Sequence, residues 1–526
     1  MTAATPSNTR SYDIIGFGDE VPGILAIVAA AREFRRRIGK FPRTLIMFKG
    51  NSPDGVGGHL VRGGLAYLDR THVPADVRQS TGVGTFGDPS RLYTEFLKRS
   101  GVPQIALDPR RANTALRQML GEVSADIISK IQIQAVLKQG ANISGIQLTN
   151  GEIYLAKQFI DSTVNAELAQ FAGAKKHQGF ETFGLPEAEL PVTLIFETEG
   201  LSIDQLKTVE TNYLKRFTNP RDTEAQRFMQ LAAGGDQRIL DRFNKEMLDS
   251  KGALAQMSIG SDHIDVRSKA LSIAYHAFRG TKFSLDRSSC VLDSGNIAIL
   301  PGGRLSWNAL LCHVTGAQAE TLARNAAKPT AVMLEEIAFV DRFFKSLGAK
   351  AVRPMTELYI RHAGNVTEVL EVLSGARMLE GGVSASEAIA TFGYALDVRG
   401  GIEGLGLKAL EKGITSISFH KPPLFNVGIR HAILRSVPNL AVISPASGFA
   451  GYACSAGRIV EYNVAVGQGV GIAAALAITT NRDLVNISNL EVRQVLEQTK
   501  QLPKIYGRNY TLEATRLQDF EKMMTA

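Results

Sequence analysis

The run Y-D-I-I-G-F-G-D-E-V-P-G-I-L-A-I-V-A-A-A-R-E-F, Tyr12 to Phe34, followed by T-L-I-M-F at Thr44 to Phe48, constrains the fold more than any other part of the chain. An apolar strand (Tyr12 to Ile15), a glycine turn, an alanine-rich helix from Gly23 to about Ile38 and a second apolar strand make a βαβ unit. The two strands must lie parallel, because the helix crosses over and buries its alanine face on the sheet. Gly16, Gly18 and Gly23 read G-x-G-x-x-x-x-G. That is two residues wider than the G-x-G-x-x-G turn that lets a pyrophosphate approach a helix N-terminus. The widened turn holds Asp19 and Glu20.

The second strand feeds K-G-N-S-P-D-G-V-G-G-H-L-V-R-G-G, with glycines at 50, 55, 57, 58, 63 and 64. Such density points to backbone lying flush against a ligand or held at positive φ. Two helices follow, one lined by Leu92, Tyr93, Phe96 and Leu97, the other by Leu116, Met119, Leu120 and Val123. The segments I-Q-I-Q-A-V-L-K-Q-G and I-S-G-I-Q-L-T-N-G-E-I-Y-L-A-K alternate apolar and polar residues, and Asn150-Gly151 is a hairpin signal. Q-F-I-D-S-T-V-N-A-E-L-A-Q-F-A-G then passes from strand to helix, with Asp161 as a strand-end cap. From about Ala174 the texture becomes an independent mixed region, with a strand at Pro191 to Phe196 and a long helix at Ala331 to Leu347. Near Gly428 the first pattern returns, with a strand at Leu440 to Ile443 and a small-residue helix carrying Gly467, Gly469 and Gly471.

The chain of 526 residues exceeds one simple core. The expected class is α/β: a Rossmann-like domain with a parallel sheet and a hairpin or meander insertion, plus a second, mixed α/β substrate domain. The expected boundaries are a loose tail at 1–10, the first domain at 11–173, a substrate or cap domain at 174–423, and the return of the first domain at 424–526.

The net charge of +8 is spread along the chain apart from small clusters such as Arg32, Arg35, Arg36 and Arg37, which read as a solvated helix face. Basic residues are not interleaved with stacking aromatics, so no nucleic-acid partner is expected. Cys290, Cys312 and Cys454 form neither C-x-x-C nor a zinc ladder, which argues for no metal and for a cytoplasmic, disulfide-free protein. Residues 1–13 lack an apolar signal region. The stretch Val464 to Ile478 falls short of the roughly 20 residues that span a bilayer and reads as a buried helix. The sequence leaves oligomeric state open.

The chain resembles the FAD-dependent oxidoreductases with a glutathione-reductase-like flavin domain. The resemblance rests on Y-D-I-I-G-F-G…P-G-I-L-A-I-V-A-A-A-R-E-F, on L-I-M-F-K-G-N-S-P-D-G-V-G-G-H-L-V-R-G-G, on Q-F-I-D-S-T-V-N-A-E-L, on E-L-Y-I-R-H-A-G-N-V, and on V-P-N-L-A-V-I-S-P-A-S…G-R-I-V-E-Y-N-V-A-V-G-Q-G-V-G. These blocks keep the family order from about Tyr12 to Gly507. The resemblance implies an extended FAD, its pyrophosphate over the Gly16 to Gly23 turn and its isoalloxazine near the Gly55 to Gly64 loop and the helix from Gly467. The implied cofactor-binding residues are Gly16, Gly18, Gly23, Lys49, Gly57, Gly58, Ser162, Thr163, Gly467, Gln468 and Gly471. The partner would be a small-molecule substrate held between the flavin and cap domains.

Several positions depart from that pattern. Phe48 stands where an acid usually holds the ribose, and Asp19 and Glu20 bring negative charge to a phosphate turn. Val164, Asn165 and Glu167 replace family residues, as do Pro445 and Gly451-Tyr452 near the closing strand. His59 and Arg62, after Gly57-Gly58, are the candidates for proton transfer and anion stabilisation, with His362 a third. Trp307 is read as a core anchor before a pocket wall. The alternative function is a non-catalytic binding or scaffold protein of flavoenzyme descent with weak or no FAD binding.

Overall fold

The computed structural model describes residues 8–285, 289–415 and 421–525. Its organising element is a five-stranded parallel sheet in the order Leu440–Val442, Gln158–Asp161, Ile14–Phe17, Thr44–Phe48, Asp126–Ser129. The three central strands are buried along their whole length, as a parallel sheet covered on both faces requires. Alternation divides their side chains. Ile14, Ile46 and Phe48 join the core under the helices Val21–Ile38 and Val460–Thr479, while Ile15, Phe17, Leu45 and Met47 join the core on the opposite face.

That opposite face is covered by a four-stranded sheet in the order Thr9–Ser11, Ile153–Leu155, Asn142–Leu148, Ile133–Gln139. This is the meander read from the sequence, and Asn150-Gly151 makes its second turn, with Gly151 at φ +84°. Thr9 and Arg10, read as tail, continue into Ser11 as a strand that pairs in parallel with Ile153–Leu155. The first helix begins at Val21, two residues before Gly23, because Pro22 in its first turn has the φ a helix needs and no N–H to leave unpaired.

The middle region forms a seven-stranded sheet built on the long strands Cys290–Leu300 and Arg304–Cys312. Phe196, Trp307 and Phe344 pack together in its core. Trp307 is 2% exposed and its indole N–H donates to Thr198 Oγ1 at 3.0 Å, which makes it a core anchor. The expectation of a disulfide-free chain fails here. Cys290 and Cys312 sit directly opposite each other on adjacent antiparallel strands and are joined by a disulfide, while Cys454 is free and buried. The 22-residue separation concealed this pairing, because a hairpin returns the chain to the same level.

The closing helix runs Val460–Thr479, so Gly467 lies two turns inside it and not at its start. By length and composition it could cross a membrane, but 89% of its apolar window is buried inside the protein, much of it against the first helix. A Cβ on Gly467 would stand 2.6 Å from the carbonyl oxygen of Pro22, and one on Gly471 would stand 2.2 Å from that of Ala26. These glycines let the two helix backbones touch.

Candidate functional site

The first turn leaves the C-terminal end of the central strand and lies beside the end of Gln158–Asp161. Gly18 has φ +91°, and a Cβ there would stand 2.8 Å from the backbone nitrogen of Thr163. A Cβ on Gly23 would stand 2.2 Å from Ser162 Oγ, and one on Gly16 3.2 Å from Ile27. Ser162 and Thr163 therefore do sit at the glycine turn, pressed against it. Their corner is organised by Asp161, whose Oδ1 accepts from Thr163 N at 2.9 Å and Thr163 Oγ1 at 2.6 Å, and whose Oδ2 accepts from Ala169 N at 3.0 Å. Burial pushes the Asp161 carboxyl up to about 6 against those hydrogen bonds.

The two inserted carboxylates turn inward. Asp19, 4% exposed, receives both terminal nitrogens of Arg62, Nη1 at 2.5 Å and Nη2 at 2.8 Å, in a bidentate pair. It also accepts from the amides of Gly57 at 2.9 Å and Gly58 at 3.3 Å. Glu20 accepts from the His59 amide at 3.2 Å and meets the His59 imidazole. Both carboxylates thus lie at the start of the short helix Gly58–Val61, where unpaired amides favour negative charge. The second glycine loop is shaped around them: a Cβ on Gly58 would collide with Glu20, and one on Gly50 with the Arg62 guanidinium.

Arg62 is the hub. Its Nε donates to Glu357 Oε1 at 2.6 Å, Nη1 also donates to Gly55 O at 2.8 Å, and its guanidinium lies 5.0 Å from the centre of the Phe48 ring. Phe48, in the place of a ribose-binding acid, packs against this cation. Burial works against the charge of Arg62, but Asp19 and Glu357 outweigh it and raise its pKa. Burial pushes Glu357 up to about 7, Arg62 pulls it back, and the Asp19 and Glu20 charges add to the rise. His59 stacks on Tyr359 at 5.0 Å, and the Arg361 guanidinium lies 4.4 Å from the centre of that same ring. Lys49 is held by Glu167 at 2.5 Å and by the Arg324 carbonyl at 2.8 Å.

His362 belongs to another cluster. Its Nδ1 lies 2.8 Å from Glu189 Oε1 and its Nε2 2.7 Å from Asn365 Oδ1. Asn365 Nδ2 donates to the carbonyls of Pro445 and Ser447, so Oδ1 must face the imidazole and both ring nitrogens meet acceptors. Burial opposes a charged ring, but Glu189 and Asn365 together hold its pKa above the ordinary histidine value. Gln468 accepts from the Leu92 amide at 3.4 Å and donates to Gln501 at 2.8 Å, inside the helical layer with Gly467 and Gly471. The structure therefore gathers Gly18, Gly23, Lys49, Gly57, Gly58, His59, Arg62, Ser162 and Thr163 around the first turn. It places Gly467, Gln468 and Gly471 in helix packing and His362 elsewhere. Glu357 and Glu189 carry no sequence signal, since each is a single glutamate outside any motif.

A parallel sheet with a glycine turn at the end of its central strand defines a Rossmann-type α/β protein of the nucleotide-binding class. The chain belongs to the FAD dependent oxidoreductase family, whose model matches residues 23–497. FAD is the cofactor that this membership supports. Similar solved structures include a geranylgeranyl bacteriochlorophyll reductase-like protein from Thermoplasma acidophilum, at 11% identity over 98% of this chain and 90% of that one, with TM-score 0.34. L-proline dehydrogenase from P. horikoshii is 10% identical over 93% and 99%, with TM-score 0.34. Thermovibrio ammonificans THI4 is 16% identical over 32% of this chain and 66% of that one, with TM-score 0.22. No curated protein matches.

The residues at the first turn do not fit an FAD pyrophosphate in the arrangement described. At the first turn the amides of Gly18 and Gly23 are spent on the carbonyls of Met47 and Glu20, and in the neighbouring second glycine loop the amides of Gly57, Gly58 and His59 are answered by Asp19 and Glu20. The cleft lined by Gly18, Phe48, Lys49 and Arg62 encloses about 70 Å³ of free space, against roughly 300–1,000 Å³ for pockets that hold a ligand of cofactor size. The chain's own carboxylates stand where an anionic ligand would be received.

Proposed function

We propose that this family member is an oxidoreductase acting on a small organic substrate, taken up between the glycine-turn domain at 11–173 and 424–526 and the middle region at 174–423. The observation that carries this reading is the family match, which runs through both regions. When bound, FAD supplies the electron transfer. For the first turn to receive it, Asp19 must leave Arg62 and the two glycine amides. Breaking a buried pair costs about 3–5 kcal/mol, which weakens dinucleotide binding by about two to three and a half orders of magnitude.

The same ion pair favours a second reading, a non-catalytic binding or scaffold protein that keeps the architecture and holds FAD weakly or not at all. Purification followed by flavin absorbance, and then FAD titration followed by fluorescence quenching, separates the two. Flavin that co-purifies, or that the wild type takes up, supports the oxidoreductase. Asp19→Asn removes the internal anion while keeping the side-chain shape, and under the first reading it binds FAD at least tenfold more tightly than wild type. A colourless wild type and a colourless variant that both ignore added FAD leave the scaffold reading.

A further inference from the structure

A second cavity, of about 710 Å³, opens in the middle region between the strands Cys290–Leu300 and Arg304–Cys312, the loop Gly400–Glu403 and the helix Gln237–Glu246. Its volume falls inside the roughly 300–1,000 Å³ of pockets that hold small ligands. Pro191, Val291, Leu311 and Ile402 line it. The helix adds Ile239, Arg242 and Glu246, which at i, i+3 and i+7 share one face, so an apolar side chain and a cation stand one turn apart on the same wall. Phe283, half-buried, also lines the cavity and packs edge-on against Phe243.

The acids of this cavity are matched from within. Asp293 pairs with Lys269 and lies 3.7 Å from Arg399, and Glu403 meets His313 Nε2 at 3.0 Å. Glu246 approaches Arg242 only at Nε, at 3.5 Å. The terminal nitrogens Nη1 and Nη2 of Arg242 meet no acceptor among the described residues, and the side chain is 53% exposed, so the guanidinium fork is open to a ligand. Such a planar fork matches a carboxylate with two parallel hydrogen bonds. An arginine on an open surface holds an acid only weakly, because water competes for both partners. The apolar wall one turn away supplies the burial that such a pair lacks.

We propose that this cavity binds a small organic acid, with its carboxylate on the Arg242 fork and its apolar body against Ile239 and Phe283. Arg242 is the binding residue. The cavity shares no residue with the first-turn cleft and lies wholly in the middle region. It therefore stands or falls apart from the cofactor question, and its test uses protein without added FAD.

The probes are 3-phenylpropionate, 3-phenylpropanol and acetate, which separate the charged head from the apolar body, titrated against the full chain with binding read by ligand-observed NMR. The phenylpropionate should bind at least tenfold more tightly than the alcohol or acetate. Arg242→Gln should weaken it at least tenfold, and Arg242→Lys, which keeps the charge and loses the fork, should fall between that variant and wild type. Should neither variant fold, the Ile239 methyl resonances of isoleucine-labelled wild type decide, by shifting when the acid is added. The proposal is overturned if 3-phenylpropionate does not bind, or if the alcohol or acetate binds as tightly. It is equally overturned if folded Arg242→Gln binds unchanged, as it would were the acid lodged at Lys49 or Arg62 of the first turn, or if the Ile239 methyls ignore a bound acid.

Discussion

Gly18 answers two demands at once, a positive φ and a backbone nitrogen where a Cβ would lie. Gly18→Ala should therefore cost about 2–4 kcal/mol of stability, measured by urea unfolding, whether or not a ligand uses the turn. Glu357 offers a pH test. Its carboxyl holds a proton up to about pH 7 in the folded chain, against an ordinary value of 4.5. A raised carboxyl binds its proton more tightly in the native state, so its contribution is full below about 4.5 and is lost as pH rises through about 7. The stability of wild type minus that of Glu357→Gln should thus fall across this window in unfolding series at stepped pH. A flat difference would mean that Arg62 offsets the burial of Glu357 in full. At this scale the sequence was half legible. It exposed Asp19 and Glu20 as an electrostatic problem and singled out His59 and Arg62, but as groups facing a ligand. That they face each other depends on a loop closure over 43 residues from Asp19 to Arg62, and Glu357 joins from 295 residues away. No local pattern encodes such distances.

Glycine spacing has opposite meanings in different helices. In the closing helix Gly471 meets the first helix's backbone, so Gly471→Ala forces two helices apart and should destabilise by about 1–3 kcal/mol. Gly121, in the helix Pro109–Glu122, has open space where its Cβ would be, and Gly121→Ala should stabilise by about 0.5–1 kcal/mol. Thermal unfolding of the two variants side by side checks both signs. The disulfide across the middle hairpin gives a third measurement. Replacing Cys290 and Cys312 with alanine should cost about 3 kcal/mol by the loop-closure argument. Elements were the most legible level. The strand at Thr44–Phe48, the helices lined by Leu92 and Leu116, and the Asn150-Gly151 turn all follow from period and turn chemistry. Boundaries drifted by a few residues where Pro22 extended a helix. The start of the closing helix was misplaced further, because a helix buried on every side carries no periodic signal to mark its start.

Across the whole molecule, the α/β class and the meander insertion were readable because a βαβ opening permits little else. The middle-region cavity lined by Pro191, Val291, Leu311 and Ile402 was not, since it is assembled from seven separated stretches that share no motif. The packing of the first helix on the last carries a further consequence, for synthesis. The face of Val21–Ile38 that meets Val460–Thr479 waits for a cover made more than four hundred residues later. At roughly 5–20 residues per second the ribosome leaves that alanine-rich surface exposed for roughly 20–90 s. A growing chain in that interval presents a sticky half-built layer, so chains halted before residue 460 should collect on chaperones or precipitate, and release of the finished C-terminal helix becomes the step that commits the N-terminal sheet to its native form.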